Sequence, residues 1–355
     1  MSNVKIISKL GEGYSGSAYL GLVDDKKCII KKTHIDNNDI CGIDDEVSRR
    51  FNEIAKLYPD HFMILISRGY IFEYKCDHKM PDWIKTKKDL LKEWKHFHSI
   101  QQCLQTIYQP VLVGTLNDWY SQLNYDIYRG KSPKKQRLEI YSMLLQVLYC
   151  FYIMEKNKWL HCDAHSENIM YNNTKNKTNE ITIGKTKYNI PTYKKLWYLI
   201  DYDSIYHPNI YNPKDIQKDH LIKINRKNPH HFQGSLILNM LFQPWWNKMN
   251  KMKIVAPHDD YLYYLIANNK KTKYLKKMLP KYKETITLSK CIIALCIMYE
   301  PEEFLMFLGL EISDFKDEIN LMKTKQAFTK EEIAFLVKNL GKYEIIFKNV
   351  AILFD

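Results

Sequence analysis

The stretch HCDAHSENIM, residues 161–170, decides which fold this sequence predicts. A long apolar segment with helical spacing precedes it, and Ile169-Met170 at its end favours a strand. An aspartate beside a hydroxyl nucleophile can accept its proton, and an asparagine five residues later can turn back toward a metal ion that bridges phosphates. The order helix, loop, strand therefore predicts a catalytic loop with Asp163 as the base and Asn168 as a metal ligand.

A second acidic position follows Asn168 by 33 residues. Asp201 ends the apolar run 196–200, which is typical of a short buried strand. A carboxylate at the end of such a strand is suited to Mg²⁺, which prefers oxygen ligands. The alternative is a structural aspartate that caps a turn. We expect Asp201 to be the second metal ligand.

The N-terminal third contains a glycine run, Gly11-Glu12-Gly13-Tyr14-Ser15-Gly16. Glycines let the backbone approach phosphates closely. A dinucleotide-binding turn would need a helix directly after the run, but residues 17–23 favour a strand. The run therefore predicts a strand–loop–strand hairpin over ATP, with a plain surface turn as the alternative.

Lys31 comes 20 residues after Gly11, on the apolar strand predicted at 28–32. A lysine on the inward face of such a strand is costly unless it is paired, and the α- and β-phosphates of ATP would pair it. Alternation sends Lys32 to the other face, and the two lysines exchange roles if the register is shifted.

A carboxylate is needed to orient that lysine, and the helix predicted at 44–57 offers two. We expect Glu53 to take this role, with Glu46 as the alternative. For either residue, a solvated glutamate on the helix face is the simpler interpretation.

Strands predominate before residue 114 and helices after it. Pro133 is suited to a helix start and Gly341 to a helix end, and the polar stretch 171–187 predicts an exposed loop or hairpin. The predicted strands of the N-terminal part are 4–10, 17–23, 28–32, 63–66, 70–74 and 104–113.

Together these motifs resemble the eukaryotic-type protein kinases. The glycine run resembles their glycine loop, CIIKK (28–32) their third strand, and HCDAHSENIM their catalytic loop. The segment LIDYD (199–203) resembles their D-F-G, and Val111–Leu116 is similar to their hinge. The spelling DAHSENIMY is similar to predicted kinases of large DNA viruses. The resemblance covers residues 5 to about 205.

The resemblance implies an α+β, bilobal protein-kinase-like fold over residues 1–355. Its small antiparallel-sheet N-lobe spans 1–113 with an insertion at about 75–100, and its mainly helical C-lobe spans 114–355 with divergent C-terminal helices. ATP and Mg²⁺ are the implied cofactors, with Mn²⁺ as an alternative metal. The implied catalytic residues are Asp163, Lys31 and Asn168; the metal ligands are Asn168 and Asp201; and the nucleotide contacts are Gly11, Glu12, Gly13, Gly16, Lys31, Glu53, Val111 and Val113.

Departures from the family concern the acceptor of the phosphate. Cys162 replaces the arginine that often pairs with a phosphorylated activation loop, so activity is not expected to depend on such a phosphate. His165 and Asp203 stand where small-molecule kinases of the aminoglycoside and choline types place a histidine and an acid, and no A-P-E segment follows. We predict a serine/threonine protein kinase; a small-molecule kinase and a pseudokinase binding module are the alternatives.

The composition indicates which partners and which cellular compartment to expect. The formal net charge of +13 favours an acidic partner or nucleic acid beside the protein substrate, with a lysine-rich solvated surface as the alternative. Eight cysteines without a C-x-x-C pair favour a reducing compartment. No signal peptide and no membrane span are expected. The predicted location is intracellular: the host cytoplasm and, for a viral protein, also the virion.

Overall fold

The structure is a computed structural model that describes residues 4–13, 16–34, 44–74, 100–119, 133–210 and 330–355, with Gln122, Arg226 and Gln233. The chain divides into two compact units, Met1–Leu112 and Val113–Asp355. Its class is mixed α and β with an antiparallel sheet in the first unit, as the sequence predicted.

The first unit contains a five-stranded sheet in the order β1-β2-β3-β5-β4, with antiparallel neighbours throughout. One strand replaces the two predicted at 63–66 and 70–74, because a bulge between Leu65 and Ser67 absorbs the irregularity. The last strand ends before Pro110, which has no N–H to donate, rather than at 113. The strands are β1 (Val4–Gly13), β2 (Gly16–Val23), β3 (Lys26–His34), β4 (Ile64–Tyr74) and β5 (Ile100–Gln109).

The helix of this unit, α1, spans Asp44–Leu57 and confirms the predicted bounds. Asn52 fixes the helix to β4, because its amide donates to the Leu65 carbonyl (3.0 Å) and accepts from the Leu65 N–H (2.8 Å). The ring of Phe51 meets that of Phe62 edge-on with centroids 5.4 Å apart. Such pairs stabilise a core beyond their burial alone.

The second unit is built on the long helix α2 (Pro133–Lys156), which starts at proline as predicted. The spacing predicted one apolar face, but every residue from 140 to 151 is buried, so α2 is a core helix. Within the described residues, Lys135–Lys156 is the one segment long and apolar enough to cross a membrane, and 78% of its most apolar window is buried inside the protein. The expected lack of a membrane span stays a prediction.

Two small sheets lie in this unit. β6 (Gly114–Thr115), β7 (Ile169–Asn173) and β10 (Lys195–Leu199) pair antiparallel in the order β10-β7-β6. β8 (Thr178–Ile183) and β9 (Thr186–Pro191) form a hairpin, which confirms the hairpin alternative for the polar stretch.

The C-terminal residues form α3 (Lys330–Lys338) and α4 (Tyr343–Val350), followed by a 3₁₀ turn. Gly341 adopts φ +76° after α3, which confirms its predicted role as a helix stop. The predicted insertion lies outside the described residues except for Ile100, and so does most of 211–329.

Candidate active site

The loop between α2 and β7 is held in place by backbone hydrogen bonds. Leu160 and Tyr206 form a two-way bridge, with N···O distances of 2.9 and 2.8 Å. The next residue but one, Cys162, is buried and adopts φ +61°, a left-handed conformation that L-residues rarely take. The chain therefore turns sharply directly before Asp163.

Asn168 closes this loop on itself. Its Nδ2 donates to the Asp163 carbonyl at 2.8 Å, and its N–H donates to the His165 carbonyl at 2.9 Å. The side chain is buried, yet its Oδ1 accepts no hydrogen bond from the described residues. The Asp163 side chain is exposed. The loop thus presents one amide oxygen and one carboxylate that can interact with a ligand.

Pairing of β7 with β10 brings Asp201 to the same end of the sheet. Ile169 pairs with Leu199, and the Ile200 N–H donates to the Asn168 carbonyl at 2.9 Å. Asp201 itself adopts φ +63° and begins a 3₁₀ turn. Aspartate tolerates that conformation because its short polar side chain can bond locally. The structure therefore brings together Asp163, Asn168 and Asp201.

His161 holds the residue before Asp201 in place from within the core. The sequence motif includes His161 but did not predict this role. The ring is buried, and its Nε2 lies 2.7 Å from the carbonyl oxygen of Ile200. Burial lowers the pKa of His161 to about 4, against smaller raising effects of the Ile200 carbonyl and Asp201. The ring is thus neutral at pH 7, and Nε2–H donates to the carbonyl. The apolar flank Trp159-Leu160 was the signal that this histidine would be buried.

Gln146, in the middle of α2, fixes β10 and was not singled out from the sequence. Its Oε1 accepts the Trp197 N–H at 3.2 Å, and its Nε2 donates to Ser142 Oγ at 3.1 Å. The residue is fully buried. A buried amide whose partners are lost leaves unsatisfied groups at a cost of about 1–3 kcal/mol, so this network fixes the position of β10 against α2.

In the first unit, the sheet register places Lys31 on the face that α1 covers. Lys31 pairs with Thr106 on β5, and Thr106 pairs with Arg68 on β4. Residues directly paired across strands share a face, and Arg68 Nη1 donates to Ser48 Oγ of α1 at 2.5 Å. Lys31 is half-buried on that face.

Lys32 lies on the opposite face of the sheet. Its face holds the buried Cys28, Ile30 and Ile107, and its Nζ lies 5.2 Å from the Tyr19 ring centroid. Lys32 is only 8% exposed and is thus the more buried lysine. Burial alone would select Lys32, whereas the register confirms only that alternation places the two lysines on opposite faces of the sheet.

Glu53 projects into solvent rather than toward the sheet. Its carboxylate pairs with Lys56 Nζ at 3.3 Å, and 69% of its side chain is exposed. Among the described residues no ion pair joins Glu53 to Lys31. The physical reason is its position on α1, where the buried face runs through Val47, Phe51 and Ala55. The side chain of Glu46 lies outside the described part.

The glycine run has the predicted strand–loop–strand form, with Gly13 opposite Gly16 and Tyr14-Ser15 between them outside the described residues. Glu12 pairs with Ser17 across the hairpin, and its side chain is not described. A Cβ at Gly11 would meet nothing within 4 Å, so space alone does not require glycine there.

At the predicted hinge, Val113 is exposed and Val111 half-buried. The Val113 N–H donates to the Tyr171 carbonyl at 2.8 Å. That N–H is therefore engaged within its own unit, and a ligand at this residue would meet its carbonyl or side chain.

The structure describes one of the two residues that distinguish protein kinases from small-molecule kinases, and the backbone of the other. His165 is half-buried, and its Nδ1 accepts the Glu167 N–H at 3.3 Å. Asp203 lies in the 3₁₀ turn, with a side chain outside the described part. Among described residues, no group of three or more His, Cys, Asp or Glu is arranged to hold a metal; the predicted set uses an amide and a carboxylate instead.

Comparison with protein-family models and with curated proteins adds no relative. No protein-family model matches the chain, and no curated protein matches it. The kinase resemblance therefore depends on the motifs and on the geometry described above.

Proposed function

We propose that this protein is an ATP- and Mg²⁺-dependent phosphotransferase, and specifically a serine/threonine protein kinase. The observation that supports this most is the hydrogen-bonded cluster at one end of β7 and β10. There, an exposed aspartate, a buried asparagine with an open Oδ1 and a strand-end aspartate meet. Oxygen ligands of this kind suit Mg²⁺, and an exposed carboxylate suits a general base.

The roles follow from the chemistry of each side chain. Asn168 and Asp201 would hold Mg²⁺, which would neutralise charge on the phosphates of ATP. Asp163 accepts the proton of the acceptor hydroxyl while that oxygen forms a bond to the γ-phosphorus. The bond from the γ-phosphorus to the bridging oxygen breaks, and ADP leaves with that electron pair. Lys31 neutralises the α- and β-phosphates.

The finer fold assignment, a bilobal protein-kinase-like fold, is part of the same proposal. The first unit supports it with a five-stranded antiparallel sheet, one helix and a glycine hairpin followed by the strand of Lys31. The second unit supports it with a buried helix that leads into the catalytic loop.

A small-molecule kinase is the second candidate, and His165 is the observation that favours it. Its Nδ1 is used within the loop, and its partly exposed ring stays beside the general base. The two candidates differ only in the hydroxyl that accepts the phosphate.

The decisive experiment incubates the purified chain with labelled ATP and Mg²⁺, with and without a generic protein substrate. We expect label on protein, and Asp163→Asn should lower the rate by about 100-fold or more. Asp60→Asn, a change of the same chemistry at another exposed position, is the matched control and should keep the rate.

ATP binding with transfer only to a small hydroxyl compound would exclude the protein kinase and favour the second candidate. ATP binding with no transfer at all would contradict both and leave a nucleotide-binding module.

A further inference from the structure

A second feature of the second unit has no role in the proposed reaction. Strands β7 and β10 continue into the hairpin β8–β9 as one interrupted antiparallel ribbon. At the interruption, Thr174 N–H donates to the Lys194 carbonyl and Thr192 N–H to the Lys177 carbonyl, both at 2.9 Å. We call this place the lysine waist; it consists of Lys175, Lys177, Lys194 and Lys195.

The backbone of the lysine waist is tightly held. Thr192 is 1% exposed; its hydroxyl donates to the Asn176 carbonyl at 2.5 Å and accepts the Lys194 N–H at 3.2 Å. Tyr193 and Lys194 adopt φ +46° and +68°, so the turn is left-handed at both. The lysines are therefore presented from a defined surface rather than from a loose loop.

The charge of this ribbon is unbalanced. Residues 171–195 contain six lysines and one acidic residue, Glu180, which pairs with Lys187 at 2.9 Å. Lys175, Lys177 and Lys194 are exposed, and in the described part of the chain they form no ion pair. Like charges on adjoining strands repel, so binding of an anion would stabilise the waist.

Two tyrosines lie in the same stretch of chain as these lysines, and the Tyr171 ring also packs on Trp197, with centroids 5.2 Å apart. Tyr171 and Tyr193 are half-buried, and Lys195 Nζ lies 5.6 Å from the Tyr171 ring centroid. Burial, and then the charge of Glu139 on α2, raises the pKa of Tyr193, so that ring remains a neutral phenol. Partly exposed rings beside lysines are the combination that binds single strands, by base stacking together with phosphate contacts.

We propose that the lysine waist binds single-stranded nucleic acid. An acidic protein would need the lysines but not the rings, so the observations favour the nucleic acid. The near end of the lysine waist, Lys195 opposite Asn173, lies about 13 Å from Ile169 at the end of the catalytic loop, at about 3.3 Å per residue along β7. A strand held there lies beside the candidate active site without occupying it, and the proposal does not depend on phosphotransfer.

The test uses the full chain and a fluorescein-labelled oligouridylate of about 20 nucleotides, longer than the usual site sizes. Anisotropy is measured between about 50 and 200 mM salt. The variant K175Q/K177Q/K194Q should bind at least about ten-fold more weakly at low salt. Its salt slope should fall by about two, because each phosphate contact on a single strand contributes about 0.7.

A matched control, K338Q/K342Q/K348Q, removes the same charge from exposed lysines of the C-terminal segment 330–350 and should change affinity by less than about two-fold. Tyr193→Asn removes a ring but suits the left-handed backbone; it should weaken binding about five-fold or more. Thermal melting monitored by circular dichroism checks that each variant folds.

Three results would overturn the proposal. The first is no binding by the unaltered chain, and the second is an equal loss in both triple variants, which would indicate diffuse net charge. The third is competition by polyglutamate as strong as by oligouridylate, with no effect of Tyr193→Asn, which would indicate an acidic protein partner.

Discussion

The candidate residues of the two units contrast in how they are held. In the second unit, Asp163, Asn168 and Asp201 are connected through backbone carbonyls and N–H groups within one loop and one strand pair. In the first unit, Lys31 lies on the face of the sheet that α1 covers, but the carboxylate expected to orient it, Glu53, pairs with Lys56 in solvent.

The difference shows that local backbone contacts fix the geometry of the loop, whereas the geometry of the lysine and its carboxylate depends on side chains from two elements. A loop closed by backbone hydrogen bonds has few arrangements, so its motif predicts its shape. An ion pair between a strand and a helix requires two long side chains to give up rotamer freedom, and exposed pairs contribute only about 0–1 kcal/mol. The helix face, not the motif, decides whether that pair forms.

The largest effect is expected in the second unit. Asp201→Asn removes the charge that binds Mg²⁺, and we expect a loss of about 1,000-fold in phosphotransfer. Steady-state rates over a range of Mg²⁺ concentrations measure it, with Asp60→Asn as the control. A rate that stays within about five-fold would show that the strand-end aspartate only caps its turn.

Replacing each of the two neighbouring lysines with methionine in turn tests the comparison within the first unit. Lys31→Met should lower the rate about 100-fold, since its face is the one beneath α1. Lys32→Met should keep the rate within about three-fold, because Lys32 lies on the other face beside Tyr19 of the apolar cluster, where an apolar replacement is tolerated. Equal losses in both variants would mean that the face of the sheet does not decide which lysine contacts the phosphates of ATP.

A smaller effect concerns pH and His61, which is buried in the first unit. Burial lowers the pKa of His61 to about 3, whereas the unfolded chain takes up that proton near pH 6.5. Between these values the unfolded state binds more protons, so stability falls as pH decreases from about 6.5 toward 3. The contribution is about 1.4 kcal/mol per pH unit.

Urea unfolding at several pH values between about 7 and 5 measures this dependence in the unaltered chain and in His61→Gln, which should flatten it. His161, in the second unit, adds a dependence of the same sign that remains in the variant. An unchanged slope in His61→Gln would contradict the burial of His61 as its cause.

The smallest effect is expected for Glu53→Ala. Its pair with Lys56 is exposed, so we expect less than about 0.5 kcal/mol in unfolding free energy and less than about three-fold in rate. A loss of more than about ten-fold in phosphotransfer, with stability retained, would show that Glu53 does orient Lys31 during turnover.

Much of the fold was predictable because propensity and spacing agreed. Helix α1 has the predicted bounds, and the first three strands lie where alternation and turns placed them. The β4 bulge was not predictable, because a bulge depends on the partner strand. Burial of α2 on all sides was also missed, since spacing indicates one face but does not show how many elements pack around the helix.

Within the candidate site, sequence placed the loop and the strand-end aspartate together. Sequence did not show that Gln146 fixes β10 through Trp197, because a glutamine inside an apolar helix has no spacing signature. Nor did it show that the Val113 N–H is engaged by Tyr171, which follows from a pairing 58 residues apart in the chain.

The contact of Tyr343 with the end of α2 forms only after the ribosome has synthesised most of the chain. Tyr343 Oη donates to Glu155 Oε1 at 2.5 Å across 188 residues of chain, and Gln233 Nε2 donates to the same hydroxyl at 2.8 Å. At about 5–20 residues per second, a ribosome needs roughly 10 to 40 seconds to travel from one residue to the other. During that interval α2, the most apolar helix among the described residues, has been synthesised without the C-terminal helix that packs on it, so the nascent protein is an expected client for chaperones.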